Sequence, residues 1–155
     1  MKDKNFLELY QQLFDQLPFF DLFTIQEFTR PETEEASYLL SINKNLVSSE
    51  QEAFLLLLEK LEYLEEGLEW EETLVKENRQ EVIKRILYYI NKNGKVEGIN
   101  SNEIIKKIEY YGGDINHESE FTNSTNTLIY DDWNLFQVLG SNETNYFLFI
   151  WYTTA

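Results

Sequence analysis

Apolar residues recur at helical spacing in four stretches of the chain, which predicts four amphipathic helices. The first runs from about Lys4 to Gln16 and ends before Pro18, because proline cannot continue a helix. The second begins at Ser49-Glu50-Gln51-Glu52, a capping box in which the serine bonds the third helical amide while the last glutamate reaches back. The other two are Arg79 to Asn91 and a short helix that Ser101 or Asn102 caps and Gly112 closes.

The leucines of the second predicted helix cover more than one of its sides. Its main apolar stripe consists of Phe54, Leu57, Leu58, Leu61, Leu64 and Leu68. Because Leu55 and Leu56 broaden this stripe, we expect the helix to be buried on more than one side. Gly67 is a suitable residue for its end. The segment from Glu69 to Asn78 fits either a bent continuation of the helix or an acidic loop.

Shorter stretches rich in aromatic and β-branched residues predict strands. Phe19 to Phe28 and Ala36 to Ile42 flank a polar turn from Arg30 to Glu35. The C-terminal strands are predicted at Thr127 to Tyr130, Trp133 to Leu139 and Tyr146 to Thr153, with a hairpin loop from Gly140 to Thr144. The remaining connections, Lys95 to Asn100 and Asp114 to Asn126, are predicted to be loops and turns.

The last predicted strand is apolar on both of its faces, since Phe147 to Tyr152 holds only aromatic and aliphatic residues. Such a strand is typical of a sheet covered on each side, or covered by helices on one side and by a partner on the other. Together the elements predict a single α+β domain spanning 1–155. In it about four helices pack on an antiparallel sheet with a C-terminal β-hairpin.

Length and cysteine content limit the kind of protein this is. A chain of 155 residues fits one domain, for which the usual range is roughly 100–200 residues. It has no cysteine, which excludes disulfides, thiolate metal sites and a cysteine nucleophile. Its first residues are polar and charged, and no apolar run approaches the length of a membrane span. We therefore expect a cytoplasmic protein without a membrane partner.

Charge is the most unusual property of the composition. The net charge is −15, from 28 acidic and 13 basic residues. The excess of acid extends over the segments that carry the apolar residues; only 82–112 is basic, and no Lys or Arg follows Lys107. A negative field of this size repels nucleic acid and anionic membranes and attracts basic partners. We therefore expect no direct binding of nucleic acid.

Catalytic motifs have little support in the sequence. His117 is the single histidine, and there is no Gly-x-Ser-x-Gly elbow that would indicate a serine hydrolase. The stretch 114–118 has the spacing of the start of a calcium loop, but Ser119 and Thr125 stand where an EF-hand needs Gly and Glu. Glycine-rich nucleotide loops are absent from the sequence. We predict no catalytic residue, no metal site and no cofactor.

Acidic residues beside aromatic ones form two candidate partner-binding patches. The first patch is Glu62, Glu65, Glu66, Glu69, Trp70, Glu71 and Glu72, and the second is Asp131, Asp132 and Trp133. In such patches the charges would speed the encounter with a basic protein, and the aromatic rings would supply the contact area that holds it. The alternatives are a solvated helix face for the first patch and an edge turn with Trp133 in the core for the second.

The end of the chain is similar to the end of a known class of proteins. The stretches Asp131 to Leu139 and Tyr146 to Ala155, with their aromatic strand, Trp151 and Thr/Ala tail, resemble the closing strands of small immunity proteins of bacterial polymorphic-toxin and contact-dependent inhibition systems. The resemblance implies a non-enzymatic protein that binds one cognate toxin domain, often a nuclease, and blocks its active or substrate-binding surface. We therefore predict an immunity protein, monomeric or weakly dimeric, that inhibits a basic toxin.

Two other functions stay open at the level of sequence. A phage-type DNA mimic or enzyme inhibitor would share the acidity, but a DNA mimic needs carboxylates spaced like phosphates, at about 1.7 Å per charge along the axis. An uncharacterised hydrolase would need a concave pocket in which acids converge. Both alternatives depend on how the acidic residues are arranged in space.

Overall fold

The computed structural model of the chain describes residues 22–65, 72–112, 115 and 118–154. Within these residues it contains six strands, four α-helices, one of which is a single turn, and two short 3-10 helices. The elements are β1 (Phe23–Arg30), β2 (Glu35–Asn43), α1 (Glu50–Glu65), α2 (Glu72–Asn93), β3 (Glu97–Ile99), α3 (Ser101–Tyr111), α4 (Glu118–Phe121), β4 (Thr125–Asp132), β5 (Leu135–Ser141) and β6 (Asn145–Thr153).

The six described strands form one antiparallel sheet in the order β1-β2-β6-β5-β4-β3. The α+β class predicted from the sequence is therefore confirmed. Strand β6 lies inside the sheet between β2 and β5, and every residue from Phe147 to Trp151 is buried. This confirms a central strand covered on both faces, and the cover on each face is helical.

Successive residues of β6 point to opposite faces of the sheet, which divides the core into two clusters. Leu148 and Ile150 pack against α1 and α2, on what we call the α1–α2 face. Phe147, Phe149 and Trp151 pack against α3 and α4, on the α3–α4 face. Each face therefore has its own apolar layer, and the strands separate the two.

Helix α1 begins at the capping box that the sequence predicts. The Ser49 hydroxyl accepts a hydrogen bond from the Glu52 amide at 3.2 Å. The Glu52 carboxylate accepts one from the amide of Ser48 at 3.1 Å, one residue earlier than in the usual box. The four consecutive leucines Leu55 to Leu58 are all buried. Because successive helical residues point about 100° apart, α1 is enclosed on more than one side, as predicted.

Only three of the four described α-helices are long enough to correspond to the about four helices that the sequence predicts. Three of the described helices exceed two turns, whereas α4 has only four residues. The first predicted helix, Lys4 to Gln16, and Pro18 both lie outside the described residues. In the segment left open at Glu69 to Asn78, the described part is helical from Glu72 onward and forms the start of α2.

Strand β1 extends further toward the following turn than the sequence predicts. The strand covers Phe23–Arg30, so it ends two residues after the predicted end at Phe28, whereas the predicted start at 19–21 lies outside the described residues. The turn contains a short 3-10 helix, Pro31–Thr33, and Glu34 follows it in the left-handed conformation with φ of 52°. The chain then enters β2 at Glu35, so the turn is about as polar and short as the sequence predicts.

The loop predicted from Lys95 to Asn100 contains an additional strand. Strand β3 is three residues long and pairs with 126–128 of β4 at the edge of the sheet. Val96 precedes it with φ of 46°, a conformation that β-branched residues rarely adopt. A strand this short and exposed shows no alternation of apolar and polar residues, which is why the sequence pattern does not reveal it.

The C-terminal strands begin and end at other residues than predicted. Trp133 and Asn134 form the turn between β4 and β5, so Trp133 does not begin a strand. At its other end β5 continues through Gly140, which was expected in a hairpin loop. A Cβ added at Gly140 would come within 2.2 Å of the Asn126 side-chain oxygen and 2.4 Å of the Phe147 ring. Glycine is therefore required there by close packing within the sheet, and not by a turn.

Candidate functional site

An open groove lies on the α1–α2 face, between the two helices and strands β4, β5 and β6. It forms because α1 packs over β6 and β2 and α2 packs beside α1, so that neither helix packs closely on β4 and β5. Its volume is about 610 Å³, within the range of roughly 300–1,000 Å³ that is typical of ligand pockets. Its apolar walls are Leu58, Leu61, Ile86, Ile90, Leu135 and Ile150.

The register of the strands decides which polar side chains reach the groove. Tyr130, Gln137 and Ile150 lie opposite one another on β4, β5 and β6, and Asp132 lies opposite Leu135 in the next row. All five residues line the groove. They face the same side of the sheet, because side chains at every second position of a strand share a face.

A β-bulge is responsible for the direction of the β4 side chains. The pairing of β4 with β5 shifts between Leu128 and Tyr130, where Ile129 is the extra residue. Leu128 packs in the cluster of the α3–α4 face, whereas Tyr130 packs against that of the α1–α2 face. Strict alternation would place both on one face, so the bulge re-aims Tyr130 and Asp132 into the groove.

Gln137 is the most deeply buried polar residue of the groove. It is only 5% exposed and lies in the middle of the apolar strand β5. Its side chain makes no hydrogen bond to any other described residue, although the amide offers two N–H donors and a carbonyl oxygen. Its polar atoms open onto the groove, so an occupant that covered them without a hydrogen bond would lose about 1–3 kcal/mol. The groove therefore favours an occupant that hydrogen-bonds to this amide.

Tyr130 and Asp132 place a hydroxyl and a carboxylate beside Gln137. Burial raises the pKa of the Tyr130 hydroxyl, and the negative charge of Asp132 raises it further. Both effects disfavour the phenolate, so Tyr130 stays a neutral hydrogen-bond donor and acceptor. Asp132 is exposed and forms no ion pair with a described residue.

An ion pair joins α1 to α2 at the opposite wall of the groove. The Arg85 guanidinium on α2 donates a hydrogen bond to the Glu62 carboxylate on α1. Both side chains are partly exposed, and a pair of this kind contributes about 0–1 kcal/mol to stability. Tyr89, one helical turn after Arg85 and half exposed, lines the same wall. Among the described lining residues Arg85 is the one base, and Glu62 neutralises it.

The turn between β4 and β5 presents an exposed tryptophan. Trp133 is 77% exposed, so the alternative in which it lies in the core is wrong. The residues before it diverge: Asp132 faces the groove, whereas Asp131 lies opposite Phe136 of the α3–α4 face. There burial, and after it the charge of Asp131, raises the pKa of Tyr111. The three residues of the second predicted patch therefore do not form one surface: Asp132 and Asp131 lie on opposite faces of the sheet, and Trp133 lies in the turn between β4 and β5.

The structure brings one residue of the first predicted patch next to the second. Glu62 and Asp132 line the same groove, although they are far apart in the sequence. Glu65 ends α1 and Glu72 begins α2. The other members of the first patch, Glu66, Glu69, Trp70 and Glu71, lie outside the described residues. Their part in a binding surface stays a prediction.

Five polar residues of the groove belong to neither predicted patch: Arg85, Tyr89, Asn93, Tyr130 and Gln137. Gln137 does carry a sequence signal, because it is a lone polar residue within the apolar run from Leu135 to Leu139. Such a residue indicates an amide that is buried in a strand or used in binding. The helical residues Arg85 and Tyr89 have no comparable signal, since charged and aromatic residues are common on exposed helix faces.

The tryptophan of the C-terminal strand has a structural role on the α3–α4 face. Trp151 is buried and stacks on Tyr111 with ring centroids 4.1 Å apart. Its Nε1 donates a hydrogen bond to the Glu35 carboxylate at 2.9 Å. The Ser37 hydroxyl donates to the carbonyl of Tyr111 at 2.8 Å. Trp151 therefore fixes the end of α3 to the sheet and is not available as a surface anchor.

Evidence for metal chemistry or a membrane helix is lacking in the part of the chain that the structure describes. No cluster of three or more His, Asp or Glu residues is found there in a geometry that could hold a metal ion. His117 and the start of the calcium-like stretch lie outside the described residues. The described helices include none that is long and apolar enough to cross a membrane. The groove does bring two carboxylates together, as the hydrolase alternative requires, but Arg85 already engages one of them.

The chain matches no protein-family model, no curated protein and no solved structure. Its function must therefore be inferred from the groove and from the exposed turn beside it.

Proposed function

We propose that this chain is an immunity protein that binds and neutralises a basic toxin domain in the bacterial cytoplasm, without catalysis and without a cofactor. The observation that carries the proposal is Trp133, which is exposed at a turn, follows two acidic residues and adjoins an open groove. The net charge of −15 supports a basic partner. The resemblance of the C-terminal strands to those of immunity proteins supports the choice of a toxin.

Trp133 suits the role of an anchor. Tryptophan is enriched among the few interface residues that dominate binding, and its truncation to alanine costs about 2 kcal/mol or more. The ring of Trp133 already stands in water, so a partner can bury it without disturbing either cluster of the core. Most of the lasting affinity would come from this burial and from contacts in the groove.

The acidic charge would govern the rate of association and the choice of partner. Exposed ion pairs contribute only about 0–1 kcal/mol each. A long-range field, in contrast, raises association rates by roughly 10–10³-fold. A toxin that acts on nucleic acid presents a basic surface to its substrate. An acidic protein docked on that surface would exclude the substrate, which is sufficient for neutralisation.

The test is a growth-rescue and binding experiment. If a large toxin-like protein is encoded directly upstream, its C-terminal domain is the probe, produced with and without this chain. We expect the chain to restore growth and to bind the purified domain. Trp133→Ala should weaken the Kd by about 30-fold, the equivalent of about 2 kcal/mol. Tyr110→Ala is the matched control, because Tyr110 is 72% exposed but lies on α3, away from the groove.

The control variant should bind within about twofold of the unaltered chain, as expected for an uninvolved surface residue. Absence of growth rescue would contradict the proposal. Equal weakening by the two substitutions would contradict the role of Trp133. Circular dichroism of both variants verifies that each is folded before its affinity is compared.

A further inference from the structure

The floor of the groove holds polar groups that the described protein does not use. The side-chain amide of Gln137 and the hydroxyl of Tyr130 make no hydrogen bond to another described residue, and Asp132 makes no ion pair with one. We propose that the groove receives a single arginine side chain of the partner. This inference rests on the proposed function and specifies the chemistry by which the partner is recognised.

The apolar walls match the aliphatic part of an arginine side chain. Leu135 and Ile150 contribute to the floor, and Ile86 and Ile90 contribute to the wall formed by α2. Arginine commonly places its methylene groups along apolar surface while its head group reaches polar partners. The half-exposed ring of Tyr89 lies at the same wall, where it can stack on the guanidinium plane.

The polar groups match the guanidinium head. Asp132 and Gln137 are diagonal neighbours across β4 and β5, since Asp132 lies opposite Leu135. Diagonal neighbours on one face are about 7–8 Å apart, which a single planar group between them can bridge. A guanidinium has five N–H donors in a fixed fork. It can therefore bond the carboxylate of Asp132 and the carbonyl oxygen of Gln137 at the same time, whereas a compact ammonium cannot do so with equal geometry.

Charge in the groove selects a cation over an anion or an apolar group. Glu62 neutralises Arg85, which leaves Asp132 as the uncompensated charge among the described lining residues. An anion would be repelled by that carboxylate. An apolar side chain would bury the amide of Gln137 and remove water from Asp132 without replacing the hydrogen bonds, and this opposes its binding.

The test uses Nα-acetyl-arginine methylamide as the probe, titrated into the full ¹⁵N-labelled chain and followed by NMR. We expect saturable shifts of the Gln137 side-chain amide signals and of the backbone amide of Leu135. Asp132→Asn should weaken the affinity for the probe by about tenfold or more, because hydrogen bonds to a charged group are lost. The citrulline analogue has nearly the same shape without the charge and should cause no saturable shift.

Two further variants separate a specific site from general attraction. Glu143→Gln removes an exposed carboxylate from the turn between β5 and β6, at the other end of β5, and should leave the affinity for the probe unchanged. Gln137→Leu retains a side chain suited to a buried strand position and should reduce the preference for the arginine probe over Nα-acetyl-lysine methylamide. Equal weakening by Asp132→Asn and Glu143→Gln would overturn the proposal. So would a titration in which the signals of the groove residues do not shift.

The outcomes for the groove and for the proposed function are distinguishable. If the chain neutralises the toxin through Trp133 while the arginine probe leaves the groove signals unchanged, the arginine site is wrong and neutralisation stands. If the probe binds in the groove but no toxin domain is bound or neutralised, the arginine site stands and the immunity function is wrong.

Discussion

Replacement of Gly140 by alanine tests the packing at the centre of the sheet. The added methyl group would lie 2.2 Å from the side-chain oxygen of Asn126 and 2.4 Å from the ring of Phe147. Phe147 is fully buried and packs edge-on against Phe121 at a centroid distance of 4.5 Å. Asn126 is buried as well, and it donates a hydrogen bond to the Ser124 hydroxyl at 2.7 Å. Neither neighbour can move without disturbing a further contact.

The size of the effect follows from two opposing contributions. Overpacking of a well-filled core costs typically about 1–3 kcal/mol. Replacing glycine by alanine also restricts the unfolded chain, which stabilises the fold by about 0.4–1 kcal/mol. The steric conflict is the larger contribution, so we expect a net loss of about 1–2 kcal/mol. For a chain of this length the corresponding fall in Tm is about 2–8 °C.

Gly98→Ala provides the matched control. Gly98 also lies in a strand, but a Cβ added there meets no atom within 4 Å. This variant should be unchanged or more stable by up to about 1 kcal/mol. Urea unfolding followed by circular dichroism measures both variants. Equal stability of Gly140→Ala and Gly98→Ala would refute the packing argument, and it would favour the hairpin loop that the sequence predicts at Gly140.

Tyr130 should make the stability of the fold depend on pH in the alkaline range. Burial and the charge of Asp132 raise the pKa of the Tyr130 hydroxyl in the folded state. As the pH rises above about 10, the unfolded chain therefore loses the hydroxyl proton before the folded chain does, and the free energy of unfolding falls. Tyr130→Phe should reduce this fall in urea titrations between about pH 9 and pH 11, and an unchanged fall would contradict the assignment. Association with the toxin domain should depend on salt, because the Debye length shortens from about 10 Å at 0.1 M to about 3 Å at 1 M ionic strength. Stopped-flow measurements should show association slowed by about tenfold or more with little change in dissociation; a rate independent of salt would argue against electrostatic steering.

The elements that depend on local interactions could be predicted from the sequence. The start of α1 follows from a capping box of four consecutive residues, which form their hydrogen bonds within one turn. The central position of β6 follows from its continuous apolar run, because a strand with two apolar faces must be covered on both. The exposed edge strand β3 and the extension of β5 through Gly140 were missed, since both depend on neighbouring strands.

The candidate site was only partly predictable for the same reason. The sequence predicts Asp132 as a binding residue because two acidic residues precede a tryptophan there. It does not indicate that Glu62 lines the same groove. The sequence shows Gln137 as a lone polar residue within an apolar strand, but it does not show which residues surround Gln137 in the fold. An acidic patch can be recognised from composition, whereas a groove requires the relative positions of helices and strands.

The α+β class, the net charge of −15 and the apolar central strand all follow from the amino-acid sequence. These properties are sums over residues or consequences of short-range periodicity. That Tyr130 and Asp132 face the groove is visible only in the folded protein, because the extra residue Ile129 reverses the alternation of β4. Glu62 likewise reaches the groove only in the folded protein, since the packing of α1 on the sheet brings Glu62 and Asp132 to the same groove. Register and packing are set by contacts between distant segments, and no local pattern specifies them.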